Sequence, residues 1–380
     1  MTKTPAFLET KSHYKILDGL RGVAALLVVI FHTFEAYAGD RFHQIINHGY
    51  LAVDFFFLLS GFVIAYAYDD RWGKMTQWEF YKRRLVRLQP MVIVGTIIGA
   101  LLFYFQASPV FPLIAETPVW KLLLVMLLGF TMLPLPLSLD IRGWQEMHPL
   151  DGPAWSLYFE YIGNILYALF VRRFSKTVLA IFVFFSGCML THYLLTGNQG
   201  DVIGGWALNW PQQYVGLCRM LYPFFGGILL CRMGKLISIK NSFAISSILL
   251  VIVFSIPRIG GPDTLWMNGL YESIVIIVVF PLIVAIGAGG SITGKFAGKA
   301  CKFLGHISYP LYITHYPLIY IYTGWVVREK IPAMQGLWAG ILLFVSAVSI
   351  AYVSLKLYDE PVREWLRKRF LVKKANQVDN

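Results

Sequence analysis

Long apolar runs separated by short polar segments make up almost the whole chain. Most runs have about 18 or more residues, and a helix of that length spans the hydrocarbon core of a bilayer, which is about 30 Å thick. The runs lie at residues 22–38, 50–68, 89–106, 119–139, 154–171, 178–196, 213–231, 243–257, 269–288, 303–323 and 336–357. This pattern predicts an all-α fold, a polytopic bundle of transmembrane helices that forms a single domain over residues 1–380.

The composition agrees with a membrane protein and excludes a soluble globule. Hydrophobic residues make up 57% of the chain and charged residues only 14%, whereas about 25% charged residues are usual in soluble domains. The polar residues 1–14 precede an apolar run that has no small-residue cleavage site. We therefore expect the first helix to be retained and not removed as a signal peptide.

The basic residues are concentrated in polar segments that would lie on one side of a membrane. A net charge of +12 is also found in nucleic-acid-binding proteins, but here the distribution of the charge follows the positive-inside rule. The basic clusters occupy residues 3–21, 71–87, 172–176, 232–240, 295–302 and 356–374. Placing them all in the cytoplasm puts both termini there, including a short basic C-terminal tail, and we expect no nucleic-acid partner.

This topology requires one apolar run that does not cross the membrane. Between Arg87, on the inside, and the segment before Trp155, on the outside, the chain must cross an odd number of times. Two runs lie between them, 89–106 and 119–139. Pro134 and Pro136 interrupt the second, and the backbone groups that they free need protein or water partners. We predict about ten crossings, with residues 119–139 re-entrant or at the interface.

Arg21 and His32 lie on one face of the first predicted helix. Eleven residues correspond to a rise of about 16 Å and return to within about 20° of the same face. Since Arg21 precedes the apolar run, it should lie at the cytoplasmic boundary, and His32 should lie near the middle of the membrane. An ionisable residue at that depth is costly and indicates a functional site.

Arg84 and Arg87 lie three residues apart where the third run begins, so they share a helix face. Guanidinium groups bind phosphates in a bidentate manner, which suits a phosphorylated cytosolic ligand such as the nucleotide part of coenzyme A. Arginines at a cytoplasmic boundary also snorkel to the lipid interface without binding any ligand. From this segment alone, the second interpretation is favoured.

Trp155, Ser156 and Glu160 lie in the first turns of the fifth run. Ser156 and Glu160 are four residues apart and face the same way. A carboxylate at this position needs a partner, either His32 or an arginine. A functional role and a structural pair that locks two helices together are both consistent with the pattern.

Tyr309, Tyr312 and His315 form a polar stripe on the tenth long apolar run. Their hydroxyl groups and aromatic faces suit a passage for a sugar or a pantetheine arm, which Trp155 and Ser156 would also line. Hydrogen bonds between helices, which are common in membrane bundles, are the alternative explanation. The histidines of the outer loops, His43 and His148 among them, are too dispersed to predict a metal site. No phosphate-binding or dinucleotide-binding loop is present, so we expect neither a metal nor a permanently bound cofactor.

Taken in order, these motifs are more specific than any one of them. They are Arg21 with His32; residues 53–62 (VDFFFLLSGF); Arg84 with Arg87 and Pro90; Trp155 and Ser156 with Glu160; and residues 308–312 (SYPLY) with His315. The set resembles the acyltransferase 3 family of integral membrane acyltransferases, and most of all its bacterial members that O-acylate exported polysaccharides. The resemblance covers about residues 15–365 and ends near a motif at residues 359–361 (DEP).

The resemblance implies transfer of an acyl group, expected to be acetyl, from cytosolic acyl-CoA to a hydroxyl of an exported polysaccharide or glycolipid. Acetyl-CoA would then be a co-substrate, and the location the cytoplasmic (inner) membrane of a bacterium. His32 would be the essential histidine with Arg21 as its partner, and Arg84 and Arg87 the family's cytoplasmic arginine pair. We expect His32 to act as general base, with a covalent acyl-histidine as the competing route.

Glu160, or another buried acid, would orient the His32 ring. A secondary transporter of a small polar solute is the alternative from another functional class, because it too would contain embedded charges and broken helices. A transporter would show substrate flux that does not depend on acyl-CoA.

Overall fold

The computed structural model describes residues 14–197 and 199–371. The predicted polar N-terminal stretch, up to residue 13, and the end of the basic tail lie outside these residues. Within the described ranges, regular structure is helical apart from two isolated β-bridges. Seven helical segments in these ranges are long and apolar enough to cross a membrane, and shorter apolar helices accompany them. The predicted class, an all-α membrane bundle, is confirmed.

Fourteen α-helices follow one another along the described chain. They are α1 (Lys15–Glu35), α2 (Ala52–Tyr68), α3 (Gln77–Leu102), α4 (Val119–Gly129), α5 (Ala154–Leu169), α6 (Lys176–Thr196), α7 (Trp210–Met233), α8 (Ser242–Ser255), α9 (Leu265–Ile274), α10 (Phe280–Gly289), α11 (Lys295–Thr314), α12 (Tyr316–Arg328), α13 (Ala333–Ser354) and α14 (Glu360–Leu366). Single π-helical turns join α9 to α10 and α13 to α14, so each pair forms one long rod.

The fourth apolar run is interrupted, as the prolines predict. Helix α4 has 11 residues, a length of about 16 Å, which is half of a bilayer core. Part of the irregular chain after it is buried in protein: Arg142 is fully buried and donates hydrogen bonds to Gln106 and to the carbonyl oxygen of Pro149. Such partners allow irregular backbone at membrane depth. Because α3 is a continuous helix of 26 residues, the short segment is the one at 119–139.

Glycines bring the helices that carry the site into close contact. A Cβ atom at Gly22 of α1 would lie 2.3 Å from the carbonyl oxygen of Leu304 in α11, and one at Gly61 of α2 would lie 1.8 Å from that of Phe224 in α7. Small residues allow this approach in membrane bundles. As a result, α1 packs along α11, and α2 along α7.

A buried ion pair also joins α2 to α7. The Arg219 guanidinium contacts both carboxylate oxygens of Asp54, at 2.7 and 3.3 Å, and donates a further hydrogen bond of 2.7 Å to the carbonyl oxygen of Tyr50. Both charged side chains are at most 2% exposed. The polar positions of these two apolar helices therefore face the bundle interior and are paired.

His32 lies nearer the end of its helix than its middle. Helix α1 begins at Lys15 and ends at Glu35, so Arg21 is almost two turns inside the helix and His32 is in its last turn. His32 is thus not central in the helix itself, and its depth in the membrane stays a prediction. The helix begins seven residues before the apolar run. Residues 15–21 form its first turns and pack against α11.

Candidate active site

A cavity of about 1020 Å³ opens at one end of the bundle. Its wall carries basic side chains from the beginnings of three helices and from the C-terminal α14, which are Lys15, Arg21, Arg84, Arg87, Lys302 and Arg363. Lys15 and Lys302 are exposed, so this basic region forms the mouth. These residues come from four of the basic clusters that the charge distribution placed on one side of the membrane. The structure thus brings those clusters to one end of the bundle.

The two arginines of α3 differ in their partners. Arg84 donates a 2.5 Å hydrogen bond to Glu160 of α5, and the Ser60 hydroxyl donates to the same carboxylate oxygen at 2.6 Å. Among the described residues, Arg87 has no ion-pair partner. Arg84 is therefore neutralised by a carboxylate, while Arg87 makes no direct ion pair in the described ranges and shares the cavity wall with the carboxylates of Asp18 and Asp359.

Glu160 does not contact His32, so it is not the acid that orients that ring. The Glu160 side chain faces α3 and α2, where Arg84 and Ser60 donate hydrogen bonds to its carboxylate. Of the two partners that the sequence allowed for this acid, the structure selects the arginine.

Arg21 lines the same cavity at a distance from His32 along the helix. Its guanidinium pairs with Asp18, one turn earlier, at 3.3 Å, and its side chain is 17% exposed. Arg21 therefore lies at the mouth of the cavity. It is eleven residues before His32 along the helix and not beside the imidazole.

The inner end of the cavity is lined by hydroxyl and aromatic groups. Ser156 and Tyr312 line it, with 2.8 Å between their hydroxyl oxygens, and Phe56 packs edge-on against the Tyr312 ring. Tyr309 also lines the cavity, but its hydroxyl donates to the carbonyl oxygen of Leu88 at 2.6 Å. Three of the residues expected along a passage thus form the wall of one cavity.

The other two residues of the expected passage do not line this cavity. Trp155 packs against the Arg219 guanidinium, whose central carbon lies 5.1 Å from the indole ring centre. His315 is fully buried at the break between α11 and α12, and its Nδ1 lies 3.0 Å from the carbonyl oxygens of both Leu311 and Tyr312. Because carbonyls only accept hydrogen bonds, Nδ1 of His315 carries the proton and Nε2 is left as an acceptor.

A carboxylate that the sequence analysis missed holds the His32 ring. Nδ1 of His32 lies 2.6 Å from Oε2 of Glu35, three residues further along α1. A carboxylate accepts hydrogen bonds, so Nδ1 carries the proton and Nε2 keeps its lone pair. The spacing of three residues on one helix is the signal that would have identified Glu35.

A row of rings connects the cavity wall to His32. The centre of the Tyr312 ring lies 6.1 Å from that of His315, which stacks on His32 at 5.8 Å with 30° between the ring planes. Tyr316 packs edge-on against His32 at 4.8 Å. His32 is 18% exposed but is not part of the cavity wall. The His315 ring thus separates the hydroxyl pair on the cavity wall from the histidine and its carboxylate.

Comparison with known proteins identifies relatives along almost the whole chain. The family model described as "Acyltransferase domain" of the acyltransferase 3 group matches residues 14–356. Protein 2 of the picA locus from Rhizobium radiobacter is 34% identical over 177 residues, which cover 44% of this chain and 88% of that protein. The O-acetyltransferase OatA of Staphylococcus aureus is 24% identical over 391 positions, which cover 95% of this chain and 59% of OatA.

The chain therefore spans less than two thirds of the length of the OatA relatives that it matches. No solved structure matches the chain significantly.

Proposed function

The chain belongs to the acyltransferase 3 family of membrane acyltransferases, and from this premise we propose that it is an O-acyltransferase that uses acetyl-CoA. The acceptor we propose is a hydroxyl group of an exported polysaccharide or glycolipid, reached from the side of the membrane opposite the basic cavity. The observation that carries this proposal is the large cavity with a basic mouth that ends at a hydroxyl pair, one ring away from a histidine–carboxylate dyad. Its setting would be the cytoplasmic membrane of a bacterium, with both termini in the cytoplasm.

The basic mouth of the cavity suits the phosphate groups of acetyl-CoA. Charge-assisted hydrogen bonds from guanidinium groups to phosphate are short and strong. The Arg87 guanidinium makes no direct ion pair within the described residues, and Arg21 and Lys302 lie around the same opening. The pantetheine arm would then extend along the cavity towards Ser156 and Tyr312.

Replacing Arg87 by alanine is expected to weaken the binding of coenzyme A by roughly 10- to 100-fold, because a hydrogen bond to a charged group contributes about 1.5–3 kcal/mol. Isothermal titration of the detergent-solubilised protein with coenzyme A measures the change. Arg328→Ala is the matched control, since Arg328 is exposed and pairs with its neighbour Glu329. Equal affinity of Arg87→Ala and the wild type would remove Arg87 from the donor site.

His32 has the arrangement of a general base. Its Nε2 would take the proton of the acceptor hydroxyl as that oxygen attacks the thioester carbon. The carbon–sulfur bond then breaks, and the proton passes from His32 to the sulfur of coenzyme A. Glu35 would hold the ring in the tautomer that leaves Nε2 free and would stabilise the imidazolium that forms, as the acid of a catalytic triad does. A covalent acyl-histidine is the competing route.

Replacing Glu35 by glutamine is expected to lower kcat by roughly 10- to 100-fold without changing the KM for acetyl-CoA. The substitution removes a hydrogen bond from the imidazole to a charged group, which contributes about 1.5–3 kcal/mol, and Glu35 is remote from the donor cavity. Steady-state kinetics with a free-thiol assay separate the two constants, and Glu329→Gln, at an exposed ion pair, is the control. A rise in KM with an unchanged kcat would contradict a positioning role.

The function as a whole is tested by two measurements on the full chain. Acetyl-CoA should raise the melting temperature of the purified protein, and mass spectrometry of surface glycans should show an acyl group that is absent from cells lacking the protein. Solute flux into proteoliposomes without acetyl-CoA, together with unchanged glycans, would indicate the transporter instead.

A further inference from the structure

The inner end of the cavity is closed by a hydrogen-bonded hydroxyl pair from two helices that are distant in the sequence. Ser156 lies in the first turn of α5 and Tyr312 near the end of α11, and both are at most 7% exposed. The Ser156 hydroxyl donates to the carbonyl oxygen of Pro153 at 3.0 Å. The Tyr312 hydroxyl lies 2.8 Å from Ser156 Oγ and 3.4 Å from the same Pro153 oxygen.

The proton of Tyr312 is free to turn to a ligand. Ser156 already satisfies the Pro153 carbonyl, so a Tyr312 hydroxyl that rotates away leaves no buried carbonyl without a donor. Other buried tyrosines are fixed in place: Tyr222 donates to the carbonyl oxygen of Ile277 at 3.0 Å, and Tyr309 to that of Leu88. The Pro153 carbonyl, in contrast, has the Ser156 hydroxyl as a closer donor than Tyr312.

We propose that the Ser156–Tyr312 pair binds the carbonyl oxygen of the donor thioester and stabilises the negative charge that develops on it. This inference rests on the proposed function. When the acceptor oxygen bonds to the thioester carbon, the carbonyl electron pair moves onto the oxygen, and the Tyr312 hydroxyl donates to it. The carbonyl re-forms as the carbon–sulfur bond breaks, and the sulfur receives the proton that the acceptor lost.

The surroundings of the pair suit this role. The Phe56 ring, 5.2 Å from the Tyr312 ring centre, adds an apolar surface beside the pair, and hydrogen bonds to a developing charge are strongest where water is excluded. The pair also lies at the beginning of α5, whose aligned peptide dipoles favour negative charge there. The His315 ring lies between the Tyr312 ring and the His32 ring, and we place the thioester carbon on the side of the pair that faces this row of rings.

Tyr312→Phe removes only the hydroxyl and is expected to lower kcat by about 100- to 1000-fold, the effect of deleting one oxyanion donor. The affinity for coenzyme A, which lacks the thioester, should not change. With acetyl-CoA labelled with ¹³C at the carbonyl, infrared difference spectra should show a C=O stretch shifted to lower frequency by the wild type and less shifted by the variant.

Tyr222→Phe is the matched control, because it also deletes one buried hydroxyl, on α7 and outside the cavity wall. Ser156→Ala gives a second test should Tyr312→Phe not fold. We expect Ser156→Ala to lower kcat by roughly 10-fold and the double variant to be no slower than Tyr312→Phe, since residues that act as one unit are not additive.

The outcomes separate this inference from the proposed function. A wild-type protein that neither binds coenzyme A nor transfers acetyl groups would overturn both. An active wild type with an equally active Tyr312→Phe, or with the same carbonyl frequency in both proteins, would overturn only the role of the hydroxyl pair. A loss of kcat that is matched by an equal loss of coenzyme A affinity would also overturn it.

Discussion

Replacing His32 by alanine is expected to lower the rate of acyl transfer by about 100- to 10,000-fold, the range that general acid–base catalysis contributes. In the proposed mechanism, the lone pair of Nε2 receives the acceptor proton, since Nδ1 is committed to Glu35 at 2.6 Å. Release of free coenzyme A thiol by the purified protein, with a glycan acceptor present, measures the rate.

Coenzyme A binding should survive this substitution, because His32 does not belong to the wall of the basic cavity. His192→Ala is the control, as His192 is exposed on α6. If His32→Ala retained the full rate, the base would have to be another group. An acetyl adduct on a His32 peptide after brief reaction with acetyl-CoA would support the covalent route in place of direct transfer.

Replacing Asp54 by alanine is expected to destabilise the bundle by about 3–5 kcal/mol, the cost of leaving one charge of a buried pair uncompensated. Arg219 is 2% exposed and would keep only its main-chain acceptors. The effect should be large because the pair joins α2 to α7, which pack without a gap at Gly61. The free energy of unfolding, measured by chemical denaturation in mixed micelles, tests the prediction.

The double variant Asp54→Leu/Arg219→Met should recover much of the loss, because two apolar side chains of similar volume replace a buried pair at little cost. Glu364→Gln breaks an exposed pair with Lys368 and should change stability by no more than about 1 kcal/mol. Equal, small effects of Asp54→Ala and Glu364→Gln would show that the buried pair contributes little to the stability of the bundle.

The elements of this fold were predictable because local physics determines them. Apolar runs of bilayer length favour helices, and Pro134 and Pro136 prevent one helix from running through all of residues 119–139, because proline disrupts a helix interior. The distribution of basic residues also predicted which helix ends lie together, since Arg21, Arg87 and Lys302 now line one cavity.

Parts of the site followed from helical spacing as well. Arg21 and His32 lie on one helix, and Ser156, Tyr309 and Tyr312 line one cavity. Helical spacing was less reliable at predicting the ion-pair partner of a residue when several candidates were available. A carboxylate at Glu160 needed a histidine or an arginine, and spacing along one helix cannot choose between residues on others.

The sequence by itself thus determined the helical membrane class, the grouping of the basic ends and the residue types that carry the chemistry. Only the tertiary structure decided that Glu160 neutralises Arg84, that Glu35 holds His32, and that Ser156 meets Tyr312 across the bundle. The physical reason is that the spacing of residues defines the face that each helix presents. The neighbour that this face meets depends on the packing of all the helices together, including close approaches such as that of α1 and α11 at Gly22.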